Sequence, residues 1–554
     1  MTIRQHRHPE AVLPAPSLLR RAARAIGAVL LALAAVLAGG APAHADFGSD
    51  YHDPMTAAKP LTRPDTRSCT VEVMHERAFR EGYGNPPDTP YAGTLTVPPA
   101  CAGAWSMVVL DLHGSVAGRQ YDRLFTVRVG GVEVLLSSTP EPSKDGIEWR
   151  LERDLTRYAP VLTGSRPFEF DLANVTNETY TGVFVISASV TFYTASPKWP
   201  AARTADRVLT SGPFALDASR LSTAREYSFP PNLEALTAEL YVRGGGACEE
   251  FAYASAPQEF VTANPGRGYC GQGPFRELRL AVDGVVAGAV WPYPVIYTGG
   301  WDPLLWRPTP GLFAFELPAY RLDLTPYVGL LLDGRPHTLS VTLNRAEQQS
   351  NDSWTGQLNL FAEVDEGSAR TTGALTRHQV AAAVEPVTAL TDLGGGSGDW
   401  TVTARRQDVA EGWVQTSHGR VRTEVSSSQV FGSTQQLREE GAALKLANRL
   451  DQTWTTHRRG GGPQRVETVS EGVPLTVDYR YGQDGQRTSM VMGRHRTETA
   501  DGVRRTVDHT YAPTAERRDG ATPVRTATAV ESYRSTGPEG PYARTITTRD
   551  GWPL

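Results

Sequence analysis

The sequence predicts an all-β protein: two adjoining jelly-roll-type antiparallel β-sandwiches, followed by a C-terminal β-rich region. Short runs that alternate apolar and polar residues recur along the chain, with many Val and Thr residues that favour strands. The 53 Gly and 40 Pro residues supply frequent turns. A chain of 554 residues is also too long for one ordinary core, so several domains are expected.

The N-terminus predicts export. Basic residues precede an apolar run, Ile26–Leu37, and a small-residue cleavage site, Ala43-His44-Ala45, follows it. The run is too short to span a bilayer comfortably, and no later segment is long enough either. We therefore expect residues 1–45 to be a signal peptide, the protein to be secreted, and no membrane attachment after cleavage. The formal net charge of −5 does not favour nucleic acid as a partner.

Composition divides the remaining chain into three parts. The stretch Pro197–Pro200 ends a first predicted sandwich, residues 46–200, and a second follows over residues 201–370. Gly-Gly and Asp-Gly pairs, such as Asp283-Gly284, are typical of the tight turns between paired strands. Residues 371–554 are rich in Thr, Arg and Val in alternating runs, which predicts a meandering sheet whose role the sequence does not indicate.

The chain contains four cysteines, at positions 69, 101, 248 and 270. An even number in an exported protein predicts two disulfides, for which three pairings are possible. Proximity along the chain favours Cys69–Cys101 and Cys248–Cys270. A metal site is not predicted, because the sequence has no CxxC pair and no HExxH motif.

Three groups of residues could carry chemistry: Tyr121-Asp122-Arg123, Cys248-Glu249-Glu250-Phe251, and the aromatic segment Tyr297–Pro308. Carboxylates beside aromatic and arginine side chains are typical of carbohydrate chemistry, because aromatic faces stack on sugar rings and paired acids move protons. Each group also has a purely structural interpretation: a strand-end ion pair, an exposed acidic strand start, and a packed aromatic loop. Serine-nucleophile, phosphate-loop and dinucleotide-binding motifs do not occur in the sequence.

Together these groups resemble the acid peptide-N-glycanases, the peptide-N4-(N-acetyl-β-glucosaminyl)asparagine amidase A family. The resemblance covers Cys69 to Glu363 in conserved order and spacing, and it is clearest at Arg119–Arg123, Ser138–Pro142, Gly146-Ile147, Trp149, Asp154–Tyr158, Glu250-Phe251, Gly273–Glu277 and Pro292–Pro308. A fainter resemblance links the chain to bacterial peptide-N-glycosidase F, which has two adjoining jelly rolls and its active site between them. The resemblance therefore implies a cleft between two sandwiches.

The resemblance also implies a reaction, the hydrolysis of the amide between the innermost N-acetylglucosamine and an asparagine side chain. The expected partners are N-glycosylated peptides or glycoproteins, and no cofactor is expected. Asp122 would be the general base or position the water, Glu250 would bind the first sugar and help protonate the leaving nitrogen, and Glu141 is a third catalytic candidate. The expected substrate-binding residues are Arg123, Trp149, Arg276, Glu277, Trp301, Asp302, Trp306 and Arg307.

The chain departs from the family pattern at Leu136, Ala252 and Asp302. These departures keep two alternatives open: a glycan-binding protein that has lost catalysis, and a glycoside hydrolase that cuts sugar–sugar bonds. Carboxylate placement separates an enzyme from a binding protein. An enzyme needs Asp122 and Glu250 to face one cleft, whereas a binding protein could bury them in separate ion pairs.

Overall fold

The chain is all-β, as the sequence predicts. In the computed structural model strands dominate, and the described residues are 50–80, 90–349, 351–483, 485–518 and 524–554. The predicted signal peptide, residues 1–45, lies outside the described residues. Within the described ranges no helix is long and apolar enough to cross a membrane.

The described residues of the first sandwich form two four-stranded antiparallel sheets. One sheet has, in spatial order, β1 (Ser68–Phe79), β8 (Phe184–Thr194), β3 (Trp105–Val116) and β6 (Ile147–Asp154). The other has β2 (Tyr91–Thr96), β7 (Ser165–Leu172), β4 (Leu124–Val129) and β5 (Val132–Ser138). Because side chains alternate along a strand, Val108 and Leu110 of β3 meet Phe125 and Val127 of β4 in one core.

The described residues of the second sandwich are arranged in the same way. One sheet has β9 (Arg207–Leu216), β16 (Ser353–Val364), β11 (Leu233–Gly245) and β14 (Ala319–Asp323). The other has β10 (Ser222–Tyr227), β15 (His337–Leu343), β12 (Leu278–Val282) and β13 (Val285–Val290). Counted from the first strand of each sandwich, both have the orders 1-8-3-6 and 2-7-4-5. These repeated orders fit the predicted jelly-roll type.

Short helices and both predicted disulfides lie in the connections. The helices are α1 (Ala159–Leu162) and α2 (Gln258–Ala263), with 3₁₀ turns at Pro99–Cys101, Thr156–Tyr158, Ala252–Ala254, Pro303–Trp306, Thr325–Leu330 and Glu439–Gly441. Cys69 pairs with Cys101, and Cys248 pairs with Cys270, so the pairing favoured by proximity is confirmed. The first bridge ties the Pro99–Cys101 turn to β1, and the second joins two points of the connection between β11 and β12, next to Glu250.

The two sandwiches meet across a buried polar interface. Glu239 on β11 is fully buried, accepts a hydrogen bond from the Tyr158 hydroxyl and pairs with Arg157 Nη1 at 2.9 Å. Tyr241, two residues further along β11 and on the same face, donates to the Val134 carbonyl at 3.1 Å. Separating buried charges and hydroxyls from their partners is strongly unfavourable in free energy. The interface therefore fixes how the two sandwiches are placed.

In the described part of the chain, residues 372–553 form one 11-stranded antiparallel sheet, the C-terminal sheet. Strands β17 and β18 both pair with β19, and from β19 onward each strand pairs with the next. The bounds are β17 (Thr372–Gln379), β18 (Val387–Gly394), β19 (Ser397–Thr416), β20 (Gly419–Arg438), β21 (Ala443–Arg459), β22 (Arg465–Gly482), β23 (Gly485–Ala500), β24 (Val503–Arg518), β25 (Val524–Thr536), β26 (Tyr542–Arg549) and β27 (Trp552–Pro553).

One face of the C-terminal sheet packs on the second sandwich and the other faces solvent. Buried and exposed residues alternate along most of β19. On its inward face, Trp400 shares a core with Phe260 and Trp306, which lie in connections of the second sandwich. Further along β19, Arg406 is fully buried, with its guanidinium 3.2 Å from Glu277. Apolar packing and a buried ion pair thus join the sheet to the sandwich.

We predict that Arg406→Met destabilises the protein by about 3–5 kcal/mol, because it removes the buried cation that pairs with two buried carboxylates, Glu277 and Asp408. The free energy of unfolding in urea measures the loss. Arg449→Met is the matched control: Arg449 pairs with Asp451 at 2.6 Å on the same sheet, but its side chain is 67% exposed. That change should cost about 0–1 kcal/mol. Similar losses in the two variants would contradict the role given to Arg406.

Candidate active site

The candidate site lies where the open end of the β4–β5 hairpin meets a loop of the second sandwich. Pairing continues one step past the strands: the Arg123 N–H donates to Thr139 Oγ1 at 2.9 Å, and the Thr139 N–H donates to the Arg123 carbonyl at 2.8 Å. This pairing brings Asp122 beside Glu141. From the second sandwich, Thr298 Oγ1 donates to the Thr139 carbonyl at 3.0 Å. These hydrogen bonds form a seam that joins the two walls of the site, one from the first sandwich and one from the second.

The backbone of Gly299 lies directly against Asp122 and Glu141. Its N–H donates to the Asp122 carboxylate. A Cβ at this position would stand 2.7 Å from Asp122 Oδ1 and 2.7 Å from Glu141 Oε1, so any side chain here would displace one or both carboxylates. Glycine thus permits the close approach of the backbone to two acids. The two carboxylates are gathered around one backbone position.

Asp122 and Glu141 differ in how readily they ionise. Burial raises the pKa of Asp122 to about 6, although Arg123 and the Gly299 N–H both act to lower it. Glu141 is only 3% exposed, and burial, followed by the charge of Asp122, raises the pKa of Glu141 well above its usual range. Neighbouring carboxylates strongly oppose each other's ionisation. We therefore expect the pair to resist carrying two negative charges at once.

Glu141 is buried without a fixed hydrogen bond. Among the described residues neither of its carboxyl oxygens has a hydrogen-bond partner, and the nearest cation, Arg307 Nη2, is 3.9 Å from Oε2. The Arg307 guanidinium itself lies over the ring of Tyr51, 4.8 Å from its centre, and is buried. The charge of Arg307 therefore acts to lower the pKa of Glu141 without a hydrogen bond between them. A buried polar group without a partner is costly, which is typical of a position that a ligand or water completes.

Glu250 stands on the opposite wall. Burial, followed by the charge of Asp122, raises the pKa of Glu250 to about 8, although Arg243 acts to lower it. Glu250 lines a cavity of about 50 Å³ together with Arg243, Tyr253 and Tyr297. The charges of Glu250 and Asp122 both act on the Tyr297 hydroxyl, so the two carboxylates lie close enough to influence the same group. The structure thus brings together all three predicted catalytic residues.

Arg123 is held beside Asp122 by two buried amides. Its Nη2 donates to Gln120 Oε1 at 2.6 Å, and its Nε donates to Asn174 Oδ1 at 3.3 Å. Asn174 is fully buried, and its Nδ2 donates to the carbonyls of Phe79 and Gly182 at 3.0 and 3.1 Å. The guanidinium therefore has a fixed position from which it lowers the pKa of Asp122.

Trp301 is the predicted aromatic residue that remains partly exposed beside the carboxylates. Its φ of 65° lies in the left-handed region, which is strained for a bulky side chain. Its Nε1 donates to the Tyr253 hydroxyl at 3.0 Å, and its ring meets Phe251 edge-on at 6.4 Å between ring centres. These contacts place a large aromatic surface next to Glu250.

Two predicted substrate-binding tryptophans lie in cores instead. Trp149 is 4% exposed on β6, where it packs edge-on against Phe184 in the first sandwich. Trp306 is also 4% exposed, stacks on Tyr511 of the C-terminal sheet, and donates through Nε1 to the Gly300 carbonyl at 2.8 Å. Neither ring has a face open to a sugar, so these two predictions are corrected to packing roles.

Arg276 lines the cavity of Glu250, whereas Glu277 is a structural residue. Arg276 makes a two-pronged ion pair with Glu249, at 2.8 and 2.7 Å, and not with Glu250. Burial acts to raise the pKa of Glu249, but this ion pair brings it below its usual range. Glu277 is fully buried and accepts from Trp291 Nε1 at 3.0 Å while pairing with Arg406. The predicted contact of Glu277 with substrate is therefore corrected, and that of Arg276 stays a prediction.

Asp302 is likewise a structural residue. It is 1% exposed, it caps the Pro303–Trp306 turn by accepting from the Leu304 N–H at 3.0 Å, and it pairs with Arg517 Nε at 3.2 Å. An aspartate at the start of a helical turn satisfies an otherwise unpaired backbone donor. The predicted contact of Asp302 with substrate is therefore corrected to a role in holding the loop.

Sequence reasoning missed Arg243 and the backbone of Gly299. Arg243 is a single cation on β11, just before three glycines, and nothing local separates it from an ordinary strand-end arginine. Its place next to Glu250 depends on the fold. Gly299 was visible as part of Gly299-Gly300, but a backbone donor leaves no side-chain signature.

Two other features do not add chemistry. In the described part of the chain no group of three or more His, Cys, Asp or Glu side chains is placed to hold a metal ion. A larger hollow, of about 230 Å³, lies on the outer face of the C-terminal sheet, lined by Lys445, Asp478, Val491 and Thr514 among others. Its charged pair, Lys445 and Asp478, is exposed and 3.5 Å apart. The chemical groups therefore converge at the inter-sandwich cleft.

Comparison with known proteins places the chain among glycoasparagine amidases. A family model described as "Peptide N-acetyl-beta-D-glucosaminyl asparaginase amidase A" matches residues 57–381. The Prunus dulcis protein "Peptide-N4-(N-acetyl-beta-glucosaminyl)asparagine amidase A" is 32% identical over 406 residues, covering 69% of this chain and 69% of its own length.

Solved structures of similar description align more loosely. A peptide-N(4)-(N-acetyl-β-D-glucosaminyl)asparagine amidase is 14% identical with a TM-score of 0.35, over 54% of this chain and 96% of its own. Recombinant peptide:N-glycanase F is 15% identical with the same TM-score, 0.35, and the same two shares, 54% and 96%. The family assignment depends instead on the family match, which spans more than half of the chain, and on the Prunus dulcis relative. The chain belongs to the peptide-N4-(N-acetyl-β-glucosaminyl)asparagine amidase A family.

Proposed function

We propose that this protein is a peptide-N-glycanase that hydrolyses the amide bond between an asparagine side chain and the innermost N-acetylglucosamine of an N-glycan. The observation that supports this most is that Asp122 and Glu250 lie close enough for the charge of one to act on the other, and that their pKa values differ, about 6 and about 8. A pair of acids whose surroundings separate their pKa values is the usual arrangement for a base and an acid that work together. The family to which the chain belongs indicates which bond this pair of acids would cleave, the glycosylated asparagine amide.

In the proposed reaction Asp122 takes a proton from water as the water oxygen attacks the side-chain amide carbon. Protonated Glu250 donates to the nitrogen as the carbon–nitrogen bond breaks. The products are a peptide with aspartate in place of asparagine and a glycosylamine, which loses ammonia in water. Arg123 favours the ionised form of Asp122, and Glu141, whose raised pKa favours its protonated form, is placed to hydrogen-bond to substrate.

Trp301 is the residue proposed to stack on the sugars, since it keeps a partly exposed aromatic face beside the carboxylates. The partner would be an N-glycosylated peptide or glycoprotein. We also propose that the protein acts after export, because two disulfides are typical of proteins from oxidising compartments.

Asp122→Asn should lower glycan release from a defined glycopeptide by about 100- to 10,000-fold, because the amide cannot accept the proton of water. The mass of the peptide product measures release. Asp145→Asn, an exposed change next to the same loop as Glu141, is the matched control and should leave release unchanged. Full activity of Asp122→Asn would remove Asp122 from the mechanism.

The same variant should be more stable than the parent at neutral pH. Because the fold raises the pKa of Asp122 to about 6, its contribution to stability is full below the ordinary aspartate range and is lost as the pH rises through about 6. An uncharged amide avoids that loss, which we expect to be about 1–3 kcal/mol after allowing for partial access of solvent. A raised unfolding temperature together with lost activity would show that the variant is folded and catalytically deficient.

The activity should also follow a bell-shaped pH profile. Release requires ionised Asp122 and protonated Glu250, so kcat/KM should rise with pH through about 6 and fall through about 8. Glu250→Gln should abolish the alkaline limb along with most of the activity, since glutamine does not titrate. A profile that stays flat from about pH 5 to about pH 9 would contradict the assignment of these two groups.

A further inference from the structure

The turn that carries Gly299 is held at both of its ends. On one side, the Gly299 N–H donates to the Asp122 carboxylate. On the other side, the Trp301 carbonyl accepts from Gln486 Nε2 at 3.0 Å, and Asp302 pairs with Arg517 Nε at 3.2 Å. Gln486 and Arg517 belong to the C-terminal sheet. The turn is therefore a direct connection between this sheet and Asp122.

Arg517 orients the side-chain amide of Gln486. The two residues face each other on neighbouring strands, β23 and β24, and Arg517 Nη2 donates to Gln486 Oε1 at 2.5 Å. A guanidinium can only donate, so Oε1 must face Arg517 and Nε2 turns toward the Trp301 carbonyl. Gln486 is 5% exposed, and a buried amide with both ends engaged has little freedom to rotate.

Trp301 needs such an anchor. Its left-handed φ of 65° costs on the order of 1–3 kcal/mol and persists only where surrounding contacts enforce it. The ring of Tyr479, on β22, lies 5.6 Å from the Trp301 ring. Tyr253, which receives the indole N–H, is itself held through its carbonyl by Asn448 at 2.8 Å and Gln435 at 3.4 Å. The C-terminal sheet thus supports the turn and its neighbour.

We propose that Gln486, oriented by Arg517, is a positioning residue that fixes the Trp301 carbonyl and so holds the Gly299 N–H against Asp122. The sheet that supplies both residues lies almost entirely beyond residues 57–381, the part of the chain matched by the family model. This assigns a role in the reaction to the C-terminal sheet. The inference rests on the proposed function for its activity measurement.

The expected consequence is a change in the proton affinity of Asp122. Arg123 and the Gly299 N–H favour its ionised form, whereas Glu141, Glu250 and the Tyr297 hydroxyl lie near enough to oppose its charge when they are ionised. If the turn moves away, one stabilising donor is lost and the other groups stay. The pKa of Asp122 should then rise, and so should the pH at which activity appears.

Gln486→Met tests the proposal, because methionine has about the volume of glutamine. Its thioether cannot donate a hydrogen bond and accepts one only weakly. The acid limb of the kcat/KM profile on a defined glycopeptide should move up by about one pH unit. Gln429→Met is the matched control: Gln429 is another buried glutamine of the same sheet, and its amide donates to Gln452 at 2.7 Å. Its acid limb should stay in place. A stable Gln486→Met protein with an unmoved acid limb would overturn the proposal.

A second measurement does not depend on activity. Amide hydrogen exchange of the peptide that contains residues 297–302 should be faster in Gln486→Met than in the wild-type chain and in Gln429→Met. If the wild-type chain releases no glycan, the proposed function fails, and exchange alone decides whether Gln486 holds the turn. Unchanged exchange would overturn the positioning role. Should Gln486→Met not fold, Gln486→Glu still accepts from Arg517 but, when ionised, cannot donate to Trp301, so the same outcomes apply.

Discussion

The contact between the Gly299 backbone and two carboxylates is the constraint on which the rest of the site depends. It forces Asp122 and Glu141 together, so that ionisation of one opposes ionisation of the other. Such crowding is unfavourable for folding and persists because both walls are fixed. The seam between Thr298 and Thr139 joins them, and the buried interface around Glu239 sets their spacing. The crowded carboxylates therefore destabilise the fold, and the contacts at the interfaces offset this cost.

The fold was predictable because it depends on short-range patterns. Alternation of apolar residues, frequent turn dipeptides and the spacing of four cysteines predict antiparallel sandwiches with two local disulfides, and the structure has both. The packing of the C-terminal sheet was not predictable. Its inward face includes polar residues such as Arg406 and Gln486, whose partners lie far away along the chain. Alternation therefore predicts the strands and not what they cover.

The site was predictable only in part. The resemblance led to Asp122, Glu141 and Glu250, and the fold gathers all three. It did not distinguish residues that contact substrate from residues that build the walls, because both occur in the same motifs. All five of these residues are buried and packed or ion-paired within the protein: Trp149, Trp306, Arg276, Glu277 and Asp302. Long polar and aromatic side chains serve cores and binding sites equally well, so only burial and partners separate the two uses.

The most direct test of the account is hydrolysis of a defined glycopeptide in water labelled with heavy oxygen, followed by mass analysis of both products. The account predicts that the peptide gains aspartate in place of asparagine, with one heavy oxygen in the new carboxylate, and that the whole glycan leaves as a glycosylamine. A peptide that keeps its asparagine with a sugar still attached, and that gains no heavy oxygen, would contradict it.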